Sequence, residues 1–145
     1  MVSARHFVRS VAIALPAVLL SAALAQAAKP TLKLRTPTSI GEGVTFRVSY
    51  QARATHRGDK LALQDCFEDC TSQDWFPAQS PKAPPGRVLA VVVSFGAHTA
   101  SVAAPDIPGD YQYRLIETRP TGKLVTAAYS GITVTGPDPG TQPGA

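Results

Sequence analysis

The sequence contains few of the residue types that carry catalysis. Its 145 residues include two cysteines, three histidines, one tryptophan and a single methionine, the initiating Met1. It lacks a Gly-rich phosphate loop, a G-x-S-x-G nucleophile elbow and an H-E-x-x-H zinc motif. His56 and His98 have no catalytic residue beside them in the sequence. These absences exclude the enzyme classes that depend on such motifs, and we predict a protein that is not an enzyme and has no cofactor.

Residues 1–27 have the three parts of a helical secretory signal peptide. Arg5 and Arg9 form a basic head, an apolar run follows, and small residues end the segment, so we expect cleavage after Ala27. The apolar run is shorter than the roughly 20 residues that a spanning helix needs, and Pro16 interrupts it. We therefore predict a periplasmic or secreted protein that is not stably inserted in a membrane once the signal is removed.

Removal of the signal changes the charge of the chain. Arg5 and Arg9 leave with it, so the 14 Lys and Arg fall to 12 against 10 Asp and Glu, and the net charge falls from +4 to +2. The remaining basic residues are scattered singly along the sequence, which argues against a nucleic-acid partner. The mature chain of about 118 residues is long enough for one domain. We predict that domain over residues 28–136, followed by a disordered Pro- and Gly-rich tail over 137–145.

The mature chain has no stretch that is long and periodic enough for an amphipathic helix, and short β-favouring runs predict an all-β fold. The clearest run is Gly43–Gln51, in which every second residue is apolar and should share one face. Those four residues are Val44, Phe46, Val48 and Tyr50. The other predicted strands are Thr31–Arg35, Lys60–Asp65, Ala97–Ala103, Asp110–Glu117 and Leu124–Thr135, the last with a bulge at Gly131.

The run Arg87–Phe95 is apolar on both faces. Such a strand is either central in the sandwich and covered by a loop, or an edge that pairs with another chain. We favour the central position, because a long exposed apolar edge would promote aggregation. With this run, the count is about seven strands, which suggests two packed antiparallel sheets.

The segment from Pro108 to Thr135 resembles the last two strands of an immunoglobulin-like sandwich. Gly109 and Tyr111 match a Gly-x-Tyr-x-Cys motif, and the resemblance implies that the Tyr111 hydroxyl bonds to backbone upstream, forming a tyrosine corner. Tyr113 stands where the motif has cysteine. The segment is more similar to the diverged module of exported bacterial proteins, whose strand positions are filled by Arg114, Leu115, Ile132 and Val134. This resemblance implies an immunoglobulin-like β-sandwich and leaves the function open.

Cys66 and Cys70 are the only pair that could carry chemistry. Two cysteines in a small exported protein predict a disulfide. Four extended residues span about 13 Å, so the segment must turn for the sulfurs to meet, and so short a ring stabilises the fold by only about 2 kcal/mol. The alternative is a copper site completed by His56 or His98.

Acidic and aromatic residues surround this pair. Asp65, Glu68, Asp69 and Asp74 lie within ten positions, and without the EF-hand pattern they are better explained as a solvated loop than as a calcium site. Trp75 and Phe76 follow, either as an exposed contact for a sugar or protein or as a cap on the core, and we favour the cap.

The leading hypothesis is an exported, non-enzymatic binding or assembly-support module that uses the 65–86 loop and one sheet face. Its expected partner is another protein. The alternatives are a periplasmic copper carrier and an accessory subunit of a larger exported enzyme. The oligomeric state is left open by the sequence.

Overall fold

The computed structural model describes residues 32–71 and 74–137, all of them in strands, turns and loops. The predicted signal peptide and residues 138–145 of the predicted tail lie outside the described residues. The strands are β1 (Leu32–Arg35), β2 (Ser39–Gly41), β3 (Thr45–Ala52), β4 (Lys60–Phe67), β5 (Phe76–Pro77), β6 (Gly96–Ala103), β7 (Gly109–Thr118) and β8 (Leu124–Thr135). Within these ranges there is no helix long and apolar enough to cross a membrane. The all-β prediction is confirmed.

The strands form two sheets, one of three strands in the order β1-β3-β6 and one of five in the order β2-β8-β7-β4-β5. All neighbours are antiparallel except β2 and β8, which are parallel. The first two strands belong to different sheets because the chain crosses between them at Thr36–Thr38. Pro37 lies in this crossing and has no N–H for a sheet ladder. Thr38 then accepts the Thr133 N–H (3.0 Å), which starts the pairing with β8.

The core lies between the two sheets and follows the period of two that the sequence predicts. In β3, Phe46, Val48 and Tyr50 are buried, whereas the residues between them are exposed. The prediction that Val44 shares this inward face is wrong, because β3 begins at Thr45 and Val44 is 50% exposed. The opposite sheet contributes the inward side chains of β7, of which Tyr113 is completely buried with its ring edge against Phe46, at a centroid distance of 5.6 Å.

The strand prediction for Arg87–Phe95 is wrong in both of its forms. The segment is irregular and makes one isolated bridge, from Ala90 to Gln79, so it is neither a central nor an edge strand. Val91, Val93 and Phe95 pack against the core, whereas Val88 and Val92 are 78% and 89% exposed. Instead of pairing in a sheet, its backbone bonds to residues 78–80, as in Val91 N–H to Ala78 O (2.9 Å).

The predicted bulge at Gly131 is also wrong, since this residue is paired in register with Gln112. The register shifts instead near the β7–β8 turn, where Glu117 faces Thr126 and Thr118 faces Leu124. Val125 is therefore the extra residue. Gly131 does not adopt the positive φ that would require glycine, so its identity alone is a weak signal for a bulge.

Charge is segregated between the two ends of the sandwich. The β3–β4 loop and the β7–β8 turn lie at one end and carry Arg53, Arg57, Arg119 and Lys123, with Asp59 as their only acid. The turns before β3, after β4 and before β7 lie at the other end and carry no Lys or Arg. Their acids are Glu42, Glu68, Asp69, Asp74 and Asp106. Basic residues scattered in the sequence thus gather in space, and we call these the basic end and the acidic end.

A buried carboxylate holds the basic end together. Glu117 faces inward from β7 and is completely buried. It accepts the Thr55 backbone N–H (2.7 Å) and the Thr55 hydroxyl (3.0 Å), which fastens the β3–β4 loop across the end of the core. Such charge-assisted bonds offset the cost of burying the carboxylate.

Two tyrosines of β7 have contrasting hydroxyl groups. Tyr111 donates to the Ile107 carbonyl four residues upstream (2.8 Å), fixing the chain where it enters the strand. Its ring lies 4.9 Å from that of Phe67, which covers Gly109 so closely that a Cβ there would clash. The Tyr113 hydroxyl is buried and has no hydrogen-bond partner among the described residues.

We therefore predict that removing the two hydroxyls affects the free energy of unfolding differently. Tyr111→Phe loses a hydrogen bond and leaves the Ile107 carbonyl unpaired, so the free energy of unfolding should fall by about 1–2 kcal/mol. Tyr113→Phe removes a hydroxyl whose burial is not offset by a hydrogen bond, so the free energy of unfolding should stay unchanged or rise. Urea denaturation of both variants measures this. Equal losses in the two would contradict the assignment.

Candidate functional site

The disulfide shapes the loop after β4. The strand ends at Phe67, and Glu68 adopts a left-handed conformation (φ 55°) that is uncommon for a residue other than glycine. Its N–H donates to the Asp110 carbonyl (2.9 Å), which anchors the turn to the start of β7. The chain then doubles back, and Cys70 is bonded to Cys66 with a Cα separation of 5.8 Å. The predicted disulfide and the turn that it requires are both present.

The acidic residues of this loop do not share one role. Glu68 and Asp69 are exposed. Asp74 closes a small turn by accepting both the backbone N–H (3.2 Å) and the hydroxyl (2.5 Å) of Thr71. These bonds stabilise the ionised form and lower the pKa of Asp74. Its contacts therefore explain Asp74 as a turn-forming residue.

Trp75 lies on the outer face of the five-stranded sheet and does not cap the core. Its ring covers the Arg114 guanidinium at 4.2 Å and lies 5.9 Å from the ring of Tyr129. Arg114 is held in place by donating from Nε to the Gln64 side chain (2.7 Å). We call Trp75, Arg114 and Tyr129 the aromatic cluster. Tyr129 is 58% exposed, so the cluster presents a ring and a charge to solvent.

Phe76 is likewise not a cap, because it is 65% exposed in the short edge strand β5. The sequence alone missed Arg114, Gln64 and Tyr129 as site residues. Their positions in the strands could have identified them. Each is on the outward-facing side of its strand, and Arg114 is opposite both Gln64 and Tyr129 in register. That signal becomes useful only when the strand neighbours are known.

Asp65 differs from Glu68, Asp69 and Asp74 because it faces the inside of the sandwich. It is opposite Tyr113 on one side and Phe76 on the other. Burial raises the pKa of Asp65 to about 6. No hydrogen bond or ion pair to this carboxyl group occurs within the described part of the chain. The alternation of β4 indicates this orientation, because Asp65 falls on the same face as Leu61 and Leu63.

The two histidines proposed for a copper site are not near the cysteines. His56 lies in the β3–β4 loop at the basic end, where Nε2 is 2.9 Å from a nitrogen of Arg119. His98 is near the start of β6, with Nε2 bonded to the Phe95 carbonyl (3.1 Å). Across residues 32–71 and 74–137, no three His, Cys, Asp or Glu side chains are grouped to hold a metal ion.

Comparison with known proteins gives no relative from which a role could be transferred. The chain matches no protein-family model and no curated protein sequence. The groups assembled around the disulfide loop are aromatic rings, an oriented guanidinium, an amide and a partly dehydrated carboxyl. These groups stack, pair charges and form hydrogen bonds, so the arrangement is suited to binding.

We predict that the Asp65 carboxylate destabilises the fold at neutral pH. Its folded-state pKa is about 6, above the ordinary 3.8 that we expect in the unfolded chain. Below pH 3.8 both states are largely protonated and the penalty is small, and between pH 3.8 and about 6 the unfolded chain ionises before the folded one, so the penalty grows until it is complete above pH 6. Asp65→Asn should therefore raise the free energy of unfolding by about 1–2 kcal/mol at pH 8, after allowance for partial solvation, and have little effect at pH 3.5.

Denaturation curves at the two pH values measure this difference. Asp69→Asn is the matched control, because it removes the same charge from an exposed position of the neighbouring loop. A pH-independent effect of Asp65→Asn, or an equal effect of the control, would contradict the prediction.

Proposed function

We propose that the mature chain is an exported, immunoglobulin-like module that binds another protein and has no catalytic activity. The binding surface comprises the 65–86 loop and the outer face of the five-stranded sheet. The observation that carries the proposal is the aromatic cluster, in which Trp75 is stacked on Arg114 beside the exposed ring of Tyr129.

The immunoglobulin-like assignment is supported by strand order. In that fold the first, second and fifth strands share one sheet, and the third, sixth and seventh share the other. Here β1, β3 and β6 share one sheet and β4, β7 and β8 the other. The Tyr111 bond to Ile107 has the geometry of a tyrosine corner near the start of the sixth strand. Tyr113 in the usual cysteine position makes this a diverged member.

The choice of a protein partner is supported by the chemistry of the cluster. Trp, Tyr and Arg are enriched at the centres of protein interfaces, where each provides a large contact area. Here they are already positioned: Trp75 rests on Arg114, and Gln64 orients Arg114. A preorganised surface loses less side-chain entropy on binding than a flexible one. The nearby disulfide restrains the loop that supplies Trp75.

Position-specific photo-crosslinking in the exporting host tests this proposal. A photo-reactive amino acid replaces Tyr129 on the proposed face or, as a control, Thr99 on the three-stranded sheet, where it is exposed. We expect one discrete crosslinked protein from position 129 and none from position 99. Adding Trp75→Ala should lower the yield by about 10-fold or more, the scale expected when an interface anchor is truncated.

Leu124→Ala is the truncation control, since Leu124 is an exposed apolar residue next to the β7–β8 turn at the basic end. It should leave the yield unchanged. Equal crosslinking from positions 99 and 129, or a yield insensitive to Trp75→Ala, would refute the proposed face. A captured enzyme would identify the module as an accessory subunit.

A further inference from the structure

A second site lies at the open edge of the sandwich, away from the aromatic cluster. Strands β5 and β6 are the edges of their sheets on the same side. The chain after β5 closes this edge, because Ala78 N–H bonds to Leu63 O (3.0 Å) and Ala103 N–H to Gln79 O (2.9 Å). At the acidic end the closure leaves a cleft of about 350 Å³. The residues lining it include Asp65, Phe76, Pro77, Val88, Pro105 and Tyr111.

The lining of this cleft includes one carboxyl group, that of Asp65. Asp65 projects inward opposite Tyr113, and its carboxyl group has no partner within the described residues. Tyr113, opposite Asp65 in the sheet, is completely buried and does not line the cleft. Burying a carboxyl group without a hydrogen bond is costly, so folding alone does not explain Asp65. A ligand that pairs with its carboxylate would remove that cost.

The walls of the cleft are apolar and aromatic. The ring of Tyr111 lies on one side, while Phe76 and Val88 form an outer rim that is 65% and 78% exposed. Exposed apolar side chains beside a carboxylate suit a ligand with an apolar body and a positive group. Aromatic faces also attract cations.

The electrostatic field at this end favours a cation. Burial first, and then the negative charges of Asp65, Asp106 and Glu68, raise the pKa of Tyr111, which places Glu68 and Asp106 near the cleft. The turns before β3, after β4 and before β7 carry no Lys or Arg, and the segment that closes the edge brings one guanidinium, the exposed Arg87 next to Val88. Three carboxylates against one guanidinium favour a positively charged ligand.

We propose that this cleft binds a primary alkylammonium group, with the Asp65 carboxylate as its counter-ion. The alkyl chain lies against Tyr111, Phe76 and Val88. The same chemistry is found in a free diamine and in the lysine side chain of a peptide. The cleft, with a volume of about 350 Å³, accommodates either ligand.

NMR titration of the mature protein tests this site. The probes are pentane-1,5-diamine and Nα-acetyl-lysine N-methylamide, with 1-pentanol as the neutral control. At pH 8 we expect saturable shifts of the Asp65, Tyr113 and Val88 amides with at least one amine and none with the alcohol. Binding of both amines indicates recognition of the ammonium chain alone. Binding of the lysine derivative only indicates a peptide ligand.

Two variants separate the counter-ion from the general charge of this end. Asp65→Asn should weaken amine binding by about 10-fold or more, whereas Asp69→Asn changes the net charge equally and should weaken it by less than about 2-fold. The Asp65→Asn protein is expected to fold, and its amide spectrum verifies this. Trp75→Ala should bind the amine normally, so failure of the aromatic face and failure of this site are distinguishable.

The pH dependence gives an independent test. Ionised Asp65 is required, so affinity should fall about 10-fold from pH 8 to pH 5, through its pKa of about 6. The other titratable or charged groups around this position are Tyr111 and Tyr113 of β7, Glu68 and Asp106 of the adjacent loops, and Arg87, next to Val88 on the closing segment. The raised pKa values keep both tyrosines neutral throughout. Glu68→Gln and Asp106→Asn should preserve the pH dependence, and its loss in either would overturn the role of Asp65.

No saturable shift with either amine at pH 8 would overturn the proposal. Equal affinity in Asp65→Asn, or equal binding of 1-pentanol, would do the same.

Discussion

The packing of β7 against the opposite sheet is the contact on which the rest of the structure depends. Tyr113 lies at its centre, with its ring edge against Phe46 and no exposed surface. Because β7 also pairs along its length with β4 and β8, this packing fixes both neighbours. It directs Asp65 inward on β4 and places Arg114 and Tyr129 together on the outer face. The positions of the aromatic cluster and of the Asp65 cleft thus both depend on the packing of β7.

Two inward-facing carboxyl groups on adjacent strands illustrate how this packing separates stability from binding. Glu117 lies at the basic end, where Thr55 supplies two hydrogen bonds and the charge serves to fasten a loop. Asp65 lies towards the acidic end, opposite Tyr113, and its carboxyl group has no partner among the described residues. The first carboxylate is explained by the fold. The second is a cost to the fold, and such costs are concentrated at functional sites.

The sequence predicts those parts of the fold that depend on local periodicity. Alternation over β3 and β7 identifies these strands, and the short Cys66–Cys70 spacing identifies a turn closed by a disulfide. Strands of two or three residues, such as β5, are too short to show the alternation of apolar and polar residues by which a strand is predicted. The run Arg87–Phe95 has the composition of a strand, but its backbone bonds to residues 78–80 and makes only an isolated bridge, which composition does not reveal. The aromatic cluster was missed for a similar reason, since its members come from separate strands and a loop.

The account rests on Asp65 being a poorly hydrated carboxyl group that lacks a partner in the free protein. The most direct measurement is a ¹³C NMR titration of its side-chain carboxyl carbon. The account predicts a midpoint near pH 6 in the free protein, moving to lower pH when an alkylammonium ligand is added, because the cation favours the ionised form. A midpoint near 3.8, or one that the ligand does not move, would contradict it.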